Sequence, residues 1–442
     1  MDLWLIVTIV LVVLLVTLVK SVPIALGLAV AGGVGILLLD GFSVMISTFS
    51  RVPFQQASRF SLIVIPMFIL MGVAARHARI AEEAFSVLAW VLRRVPGGLA
   101  LATVVACAGF AAVSGSSVAT VVSVGNTAIV EMRRYGYARH VAAGVVGAAG
   151  TLGVLIPPSV PLVIYGILTG ESIGALLLAG LLPGLLSAVM YGGAIIVRAR
   201  RHPADYGRAE DVLTVATRPK LKQGTIGISK IAILFVIVIG GLYSGLFTAV
   251  EASAVGAFAA VVMVLTTWMR TPKDLYQRLR DTITEAVSLN GMVFALLIGG
   301  AIFSTFTVAA GLPQVFTRTV LGLEVPAMAI VLIVLLVLLP MGMFLDPLSI
   351  MLIMVPLTYP LVTSLGFDGV WYGILFVKFI ELGLITPPLG INAFVVAGTS
   401  PELSPEIAFK GVLQYLPIDL MTVALIFTFP VIVTFLPSVI NG

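Results

Sequence analysis

From residue 3 to residue 437 the sequence is a succession of apolar runs, most about twenty residues long, joined by short polar loops. In hydrocarbon every backbone N–H and C=O must be satisfied within the protein, so such runs fold as α-helices that cross a bilayer. Spans are expected near 3–20, 22–40, 59–75, 140–170, 173–197, 226–246, 247–268, 287–312, 368–398 and 413–437. Composition agrees: 60% of residues are hydrophobic and 10% charged, whereas a soluble domain carries about 25% charge. The first run has Asp2 as its only charge and no basic leader, so it reads as a retained transmembrane helix.

A formal charge of +5 raises nucleic acid as a partner, but the bases sit in short loops with no basic face or recognition motif, which is the membrane pattern. Cys107 is the one cysteine, and His77, His140 and His202 are scattered, so neither a disulfide framework nor a cluster of metal ligands is expected.

Two further apolar segments, about 97–130 and 327–360, behave differently. Each is roughly 34 residues, short of the ~40 that two crossings need. Each carries polar or helix-breaking residues at its centre, Ser114-Gly115-Ser116-Ser117 in one and Leu345-Asp346-Pro347 in the other. Both read as re-entrant helical hairpins. Two spans are also interrupted, at Gly150-Thr151-Leu152-Gly153-Val154-Leu155-Ile156-Pro157-Pro158-Ser159 and at Glu381-Leu382-Gly383-Leu384-Ile385-Thr386-Pro387-Pro388-Leu389-Gly390-Ile391-Asn392.

Set against itself at an offset of 230 residues, the chain superposes Pro96 on Pro326, Gly136 on Gly366, Gly153 on Gly383, Thr169 on Thr399 and the two Pro-Pro pairs, with Ser116 over Asp346. Arg93, Arg94, Arg133, Arg134 and Arg139 surround the first hairpin, while the matching stretches 323–324 and 363–369 hold Glu324 and Asp368 but no base. Conversely, Arg270, Lys273, Arg278 and Arg280 match positions 40–50, which have none, and the basic loop 198–224 (Arg198, Arg200, Arg201, Arg208, Arg218, Lys220, Lys222) matches an uncharged C-terminus. By the positive-inside rule the halves are inverted repeats. The expected division is 1–197, a basic cytoplasmic linker 198–225, and 226–442, with both termini outside.

A break in a membrane helix survives where it lines a site, because unpaired backbone in lipid costs several kcal/mol. Proline frees the carbonyl four residues earlier; such carbonyls and nearby hydroxyls are hard ligands suited to Na⁺, and exposed helix N-termini favour a carboxylate. Asp346, an intramembrane acid at a tip, is placed to coordinate Na⁺, to carry a proton, or to cap a half-helix. Lys378 and Glu381 read as an i,i+3 ion pair, and Asn392 either ligates substrate or satisfies freed backbone. A rival class is an intramembrane serine protease, since Ser114-Gly115 is similar to a rhomboid nucleophile site; Ala112 replaces its expected glycine, and His77, His140 and His202 all fall in loops or at span ends. The absence of a Gly-x-x-x-x-Gly-Lys-Ser/Thr loop leaves nucleotide-driven transport unsupported.

The runs Ser114-Gly115-Ser116-Ser117-Val118-Ala119-Thr120 and Gly150-Thr151-Leu152-Gly153…Pro157-Pro158-Ser159 resemble those of the large membrane subunit of tripartite ATP-independent periplasmic (TRAP) transporters. So do Phe344-Leu345-Asp346-Pro347 and Gly383…Thr386-Pro387-Pro388-Leu389-Gly390-Ile391-Asn392, and the likeness spans nearly the whole chain. It implies an elevator-type secondary transporter of the bacterial inner membrane, and no enzyme. The expected cargo is a small organic anion drawn in by Na⁺, with no other cofactor. The expected partners are a periplasmic substrate-binding protein and a small four-helix membrane subunit on another chain. One Na⁺ falls by resemblance to Ser114, Ser116, Gly153 and Ile156, and a second to Asp346, Gly383 and Thr386; at Gly153, Ile156 and Gly383 the ligand is a carbonyl. Substrate is expected near Ser117, Pro158, Pro388 and Asn392. A stand-alone divalent-anion/Na⁺ symporter is the nearest alternative.

Overall fold

The computed structural model describes residues 2–207, 221–322 and 324–441, which are helical apart from turns and one isolated bridge, Tyr137 to Tyr206. Part of the expected linker, with Arg208, Arg218 and Lys220, lies outside the described residues.

The helices run as α1 Leu3–Val19, α2 Ile24–Asp40, α3 Phe42–Ala57, α4 Val64–His77, α5 Ile80–Leu92, α6 Gly98–Ser114, α7 Ser117–Arg134, α8 Arg139–Gly150, α9 Val160–Thr169 and α10 Ile173–Arg201. There follow α11 Leu221–Phe235, α12 Ala249–Trp268, α13 Pro272–Ala309, α14 Leu312–Leu321, α15 Ala327–Phe344, α16 Pro347–Ser364 and α17 Gly369–Ile385. Last come α18 Ile391–Gly398, α19 Pro405–Val412, α20 Leu416–Thr428 and α21 Val431–Asn441.

Among the described residues eight helices are long and apolar enough to cross a membrane, or nine if the bent pair α19–α20 counts as one. Outward faces are apolar, as in α1, where Leu11, Leu15 and Val16 are exposed and Ile6, Val10 and Leu14 face the core. Lipid is the solvent such faces require.

The expected hairpins are helix–break–helix units, α6–α7 and α15–α16. Their arms run on to Arg134 and Ser364, past the expected ends at 130 and 360. At 18 residues each, α15 and α16 are long enough to cross, so the short length expected of a hairpin does not set the second one apart from ordinary spans. The final span, expected as one helix over 413–437, is divided between α20 and α21 at Phe429-Pro430, where proline removes a ladder donor. α13 starts at Pro272 rather than 287, because its first turns are polar and lie outside an apolar window. α3, α5, α14 and α19 were not foreseen; they are amphipathic, with apolar stripes too narrow for a span.

α2 lies along α13 and α4 along α12, forming one packed group. The hairpin α6–α7 packs on α8, and α15 packs on α17, so each hairpin sits on a broken span. The helix starts keep the 230-residue offset: Ser117 matches Pro347 and Arg139 matches Gly369.

Candidate functional site

At the first tip α6 ends on Gly115, whose φ of 62° is left-handed and open to glycine without strain. Ser116 then caps α7, its hydroxyl accepting from Ala119 N at 3.4 Å. The turn presses on the first broken span: Val160 N donates to Gly115 O at 3.3 Å. A Cβ on Gly115 would meet the Pro158 carbonyl at 2.6 Å.

This contact gathers oxygens. Ser114 Oγ is 3.0 Å from Thr120 Oγ1, which donates to Ser116 O at 2.8 Å. Gly153 backs onto the same atoms, since a Cβ there would lie 2.5 Å from Ser116 O and 2.8 Å from Thr120 Oγ1. Three of the four residues expected to share the first ion are thus together, and Thr120, which was not expected there, brings a further hydroxyl beside them. Ile156 lies in the extended segment that follows, its N–H donating to Leu152 O at 3.0 Å; no hydrogen bond joins it to the serines.

The second half is arranged differently. Asp346 caps α16: Oδ1 accepts from Leu348 N at 3.0 Å and Ser349 N at 3.1 Å, and Oδ2 accepts from the Ser349 hydroxyl. Gly383 packs on the hairpin, where a Cβ would lie 2.6 Å from Gly342 Cα. Thr386 Oγ1 donates to Leu382 O at 2.6 Å. No hydrogen bond ties Asp346 to Gly383 or Thr386, and Asp346 also borders a cleft of about 820 Å³ beside Pro23, Ile24 and Met292.

Of the expected substrate residues, Ser117 is buried and donates to Glu381 Oε1 at 3.3 Å, joining the first tip to the second broken span. Asn392 is fully buried, and neither of its amide atoms has a hydrogen-bond partner. Pro158 is buried but Pro388 is exposed. The two Pro-Pro breaks therefore sit in unlike surroundings.

Lys378 does not pair with Glu381. Its Nζ reaches Asp419 Oδ1 of α20 at 2.5 Å, with both side chains 1% exposed. Tyr191 Oη of α10 lies 2.7 Å from both Asp419 oxygens and 3.1 Å from Thr151 Oγ1, at the end of α8. The pair misses Glu381 because i,i+3 neighbours on one helix give way to a carboxylate approaching from a packed helix. Asp419 was findable as an acid within an apolar run; Tyr191 and Thr151 carry no such signal. Ser117→Ala removes the hydroxyl that serves buried Glu381 and should lower stability by about 1–3 kcal/mol in thermal unfolding, with Ser117→Thr recovering most of it.

The fold and the site together define a multi-pass helical membrane protein whose core is built from broken helices and capped hairpins. It resembles the crystal structure of the Alcanivorax borkumensis YdaH transporter, with a TM-score of 0.59 at 16% identity over 92% of this chain and 91% of that one. Residues 11–432 match the family described as tripartite ATP-independent periplasmic transporter, DctM component. The C4-dicarboxylate TRAP transporter large permease protein DctM of Pseudomonas aeruginosa is 35% identical over 93% of this chain and 92% of its own length. The isethionate TRAP transporter permease protein DctMQ of Oleidesulfovibrio alaskensis is 32% identical over 96% of this chain, which spans 64% of that protein. The chain belongs to the DctM family of TRAP transporter large permeases.

Proposed function

We propose that the chain is the Na⁺-coupled large permease of a three-part uptake system, moving a small organic anion across the bacterial inner membrane with both termini on the periplasmic side. The observation that carries this is the cluster of Ser114, Ser116 and Thr120 oxygens packed against Gly153, where a capped tip meets a broken span. Hydroxyl and carbonyl oxygens without a formal charge suit a monovalent hard cation. Asp346, Gly383 and Thr386 hold a second Na⁺ once the second tip closes on its broken span.

The anion lies between the tips, near Ser117, Pro158, Pro388 and Asn392, facing the N-termini of α7 and α16, whose dipoles favour negative charge. Relatives named for C4-dicarboxylate and isethionate both point to small anions. A periplasmic binding protein delivers the anion and a small four-span subunit completes the membrane part. The two inverted repeats contribute hairpins and broken spans that move as one body against the group of α2, α4, α12 and α13, an elevator.

Uptake of a labelled C4-dicarboxylate into proteoliposomes containing both partners tests the reading: rates should rise steeply with an inward Na⁺ gradient, and indifference to Na⁺ would sink it. Asp346→Asn separates capping from coupling. The amide still accepts from Leu348 and Ser349, so stability should hold, whereas Asp346→Ala loses a cap worth about 1–2 kcal/mol. Both variants should lose Na⁺-driven uptake while inserting normally; wild-type uptake by Asp346→Asn would leave Asp346 a cap alone.

A further inference from the structure

The last turn of α10 carries Arg198, Arg200 and Arg201, with His202 as its C-cap. Bases at a helix C-terminus complement its dipole, which accounts for their presence but not for the shape beneath them. A cleft of about 840 Å³ opens there between α10 and α20.

The upper rim is basic: Arg198, Arg201, His140 and His202 line it, against Asp205 as its one acid. The Arg198 guanidinium donates to Gln414 Oε1 and lies 5.8 Å from the Tyr415 ring centre, so among the described residues a neutral amide and a ring hold it and no carboxylate does. Among the described residues Arg201 has no carboxylate partner either.

The lower wall is apolar and bare. Val189 is 71% exposed, Val197 48% and Met421 51%, all lining the same cleft. From Arg198 to Val189 the wall descends about 13 Å along the helix, close to the ~15 Å depth of one leaflet's hydrocarbon. The positive-inside rule puts the basic rim at the cytoplasmic surface. A positive rim over a leaflet-deep apolar wall matches one kind of molecule in both charge and depth.

We propose that this cleft binds an anionic glycerophospholipid, its phosphate on Arg201 and Arg198 and its acyl chains along α10 and α20. Arginine's planar fork suits a phosphate diester, and basic pockets between membrane helices recognise such headgroups. The lipid would cover the outer side of the joint whose inner side holds Tyr191 and Asp419. The inference rests on membrane insertion alone and stands or falls apart from Na⁺ coupling.

The purified protein in detergent, titrated with defined lipids and read by native mass spectrometry and thermal unfolding, tests this. Dioleoyl phosphatidylglycerol should be retained and should stabilise, and dioleoyl phosphatidylcholine should do so several-fold less. The exposed double variant Arg201→Gln/His202→Gln should unfold at the wild-type temperature without lipid and bind phosphatidylglycerol at least roughly fivefold more weakly; Arg201→Lys should keep most of the binding. Dihexanoyl phosphatidylglycerol, too short for the wall, should bind weakly. Equal retention of the two lipids, or unchanged binding by the double variant, would overturn the proposal. So would equal stabilisation by inorganic phosphate alone, which would make this a free-anion site.

Discussion

Replacing Lys378 or Asp419 singly by alanine should lower the stability of the detergent-purified protein by about 3–5 kcal/mol, the cost of stranding one charge of a buried pair. Each side chain is 1% exposed and the other is its ionic partner at 2.5 Å. The double variant Lys378→Met/Asp419→Leu should recover most of the loss, because it leaves neither charge of the pair alone and Tyr191 keeps Thr151 as a partner. Thermal unfolding followed by tryptophan fluorescence makes the measurement, and equal losses in the singles and the double would show that packing rather than charge holds the site. The pair joins α17 to α20, and Tyr191 extends it to Thr151 at the first break. The singles should therefore depress uptake as well, by loosening the joint between the two broken spans.

Gly153→Ala should raise the half-saturating Na⁺ concentration for uptake roughly tenfold or more, a decade for each ~1.4 kcal/mol of lost binding. The added methyl would lie 2.5 Å from Ser116 O and 2.7 Å from its carbonyl carbon. These are backbone atoms, so the tip must retreat from the broken span, and overpacking of this kind costs about 1–3 kcal/mol in stability besides. Gly291→Ala is the control: it adds the same methyl where nothing lies within 4 Å. Sodium dependence left unchanged by Gly153→Ala would separate the oxygen cluster from ion coupling.

What could be read from the sequence was whatever has a local chemical cause. Pro157-Pro158 and Pro387-Pro388 cannot continue a helix, and Ser116 and Asp346 are cap-forming residues at the head of apolar runs, so all four breaks showed before any coordinates. The amphipathic helices α5 and α14 did not show, because a narrow apolar stripe over ten or so residues does not register as a span. Pro430 carried the same signal as the other prolines, yet an unbroken helix was expected there. The partner of Lys378 was out of reach for another reason: Glu381 is adjacent in sequence, while Asp419 arrives only through the packing of α20. Thr120 went unrecognised because its role depends on a turn that brings it back over Ser116.

The unlike burial of the two Pro-Pro breaks has one more consequence. Two loops that share a Gly-x-x-x-Pro-Pro pattern, one enclosed by protein and the other with Pro388 and Leu389 exposed, are like the doors of an airlock of which one is shut. On the transporter reading, the counterpart state is the same chain with the roles exchanged, 157–158 bare and 387–388 enclosed. Moving between the two states exchanges one buried break for the other, so burying Pro388 and Leu389 offsets part of what exposing Pro157 and Pro158 costs.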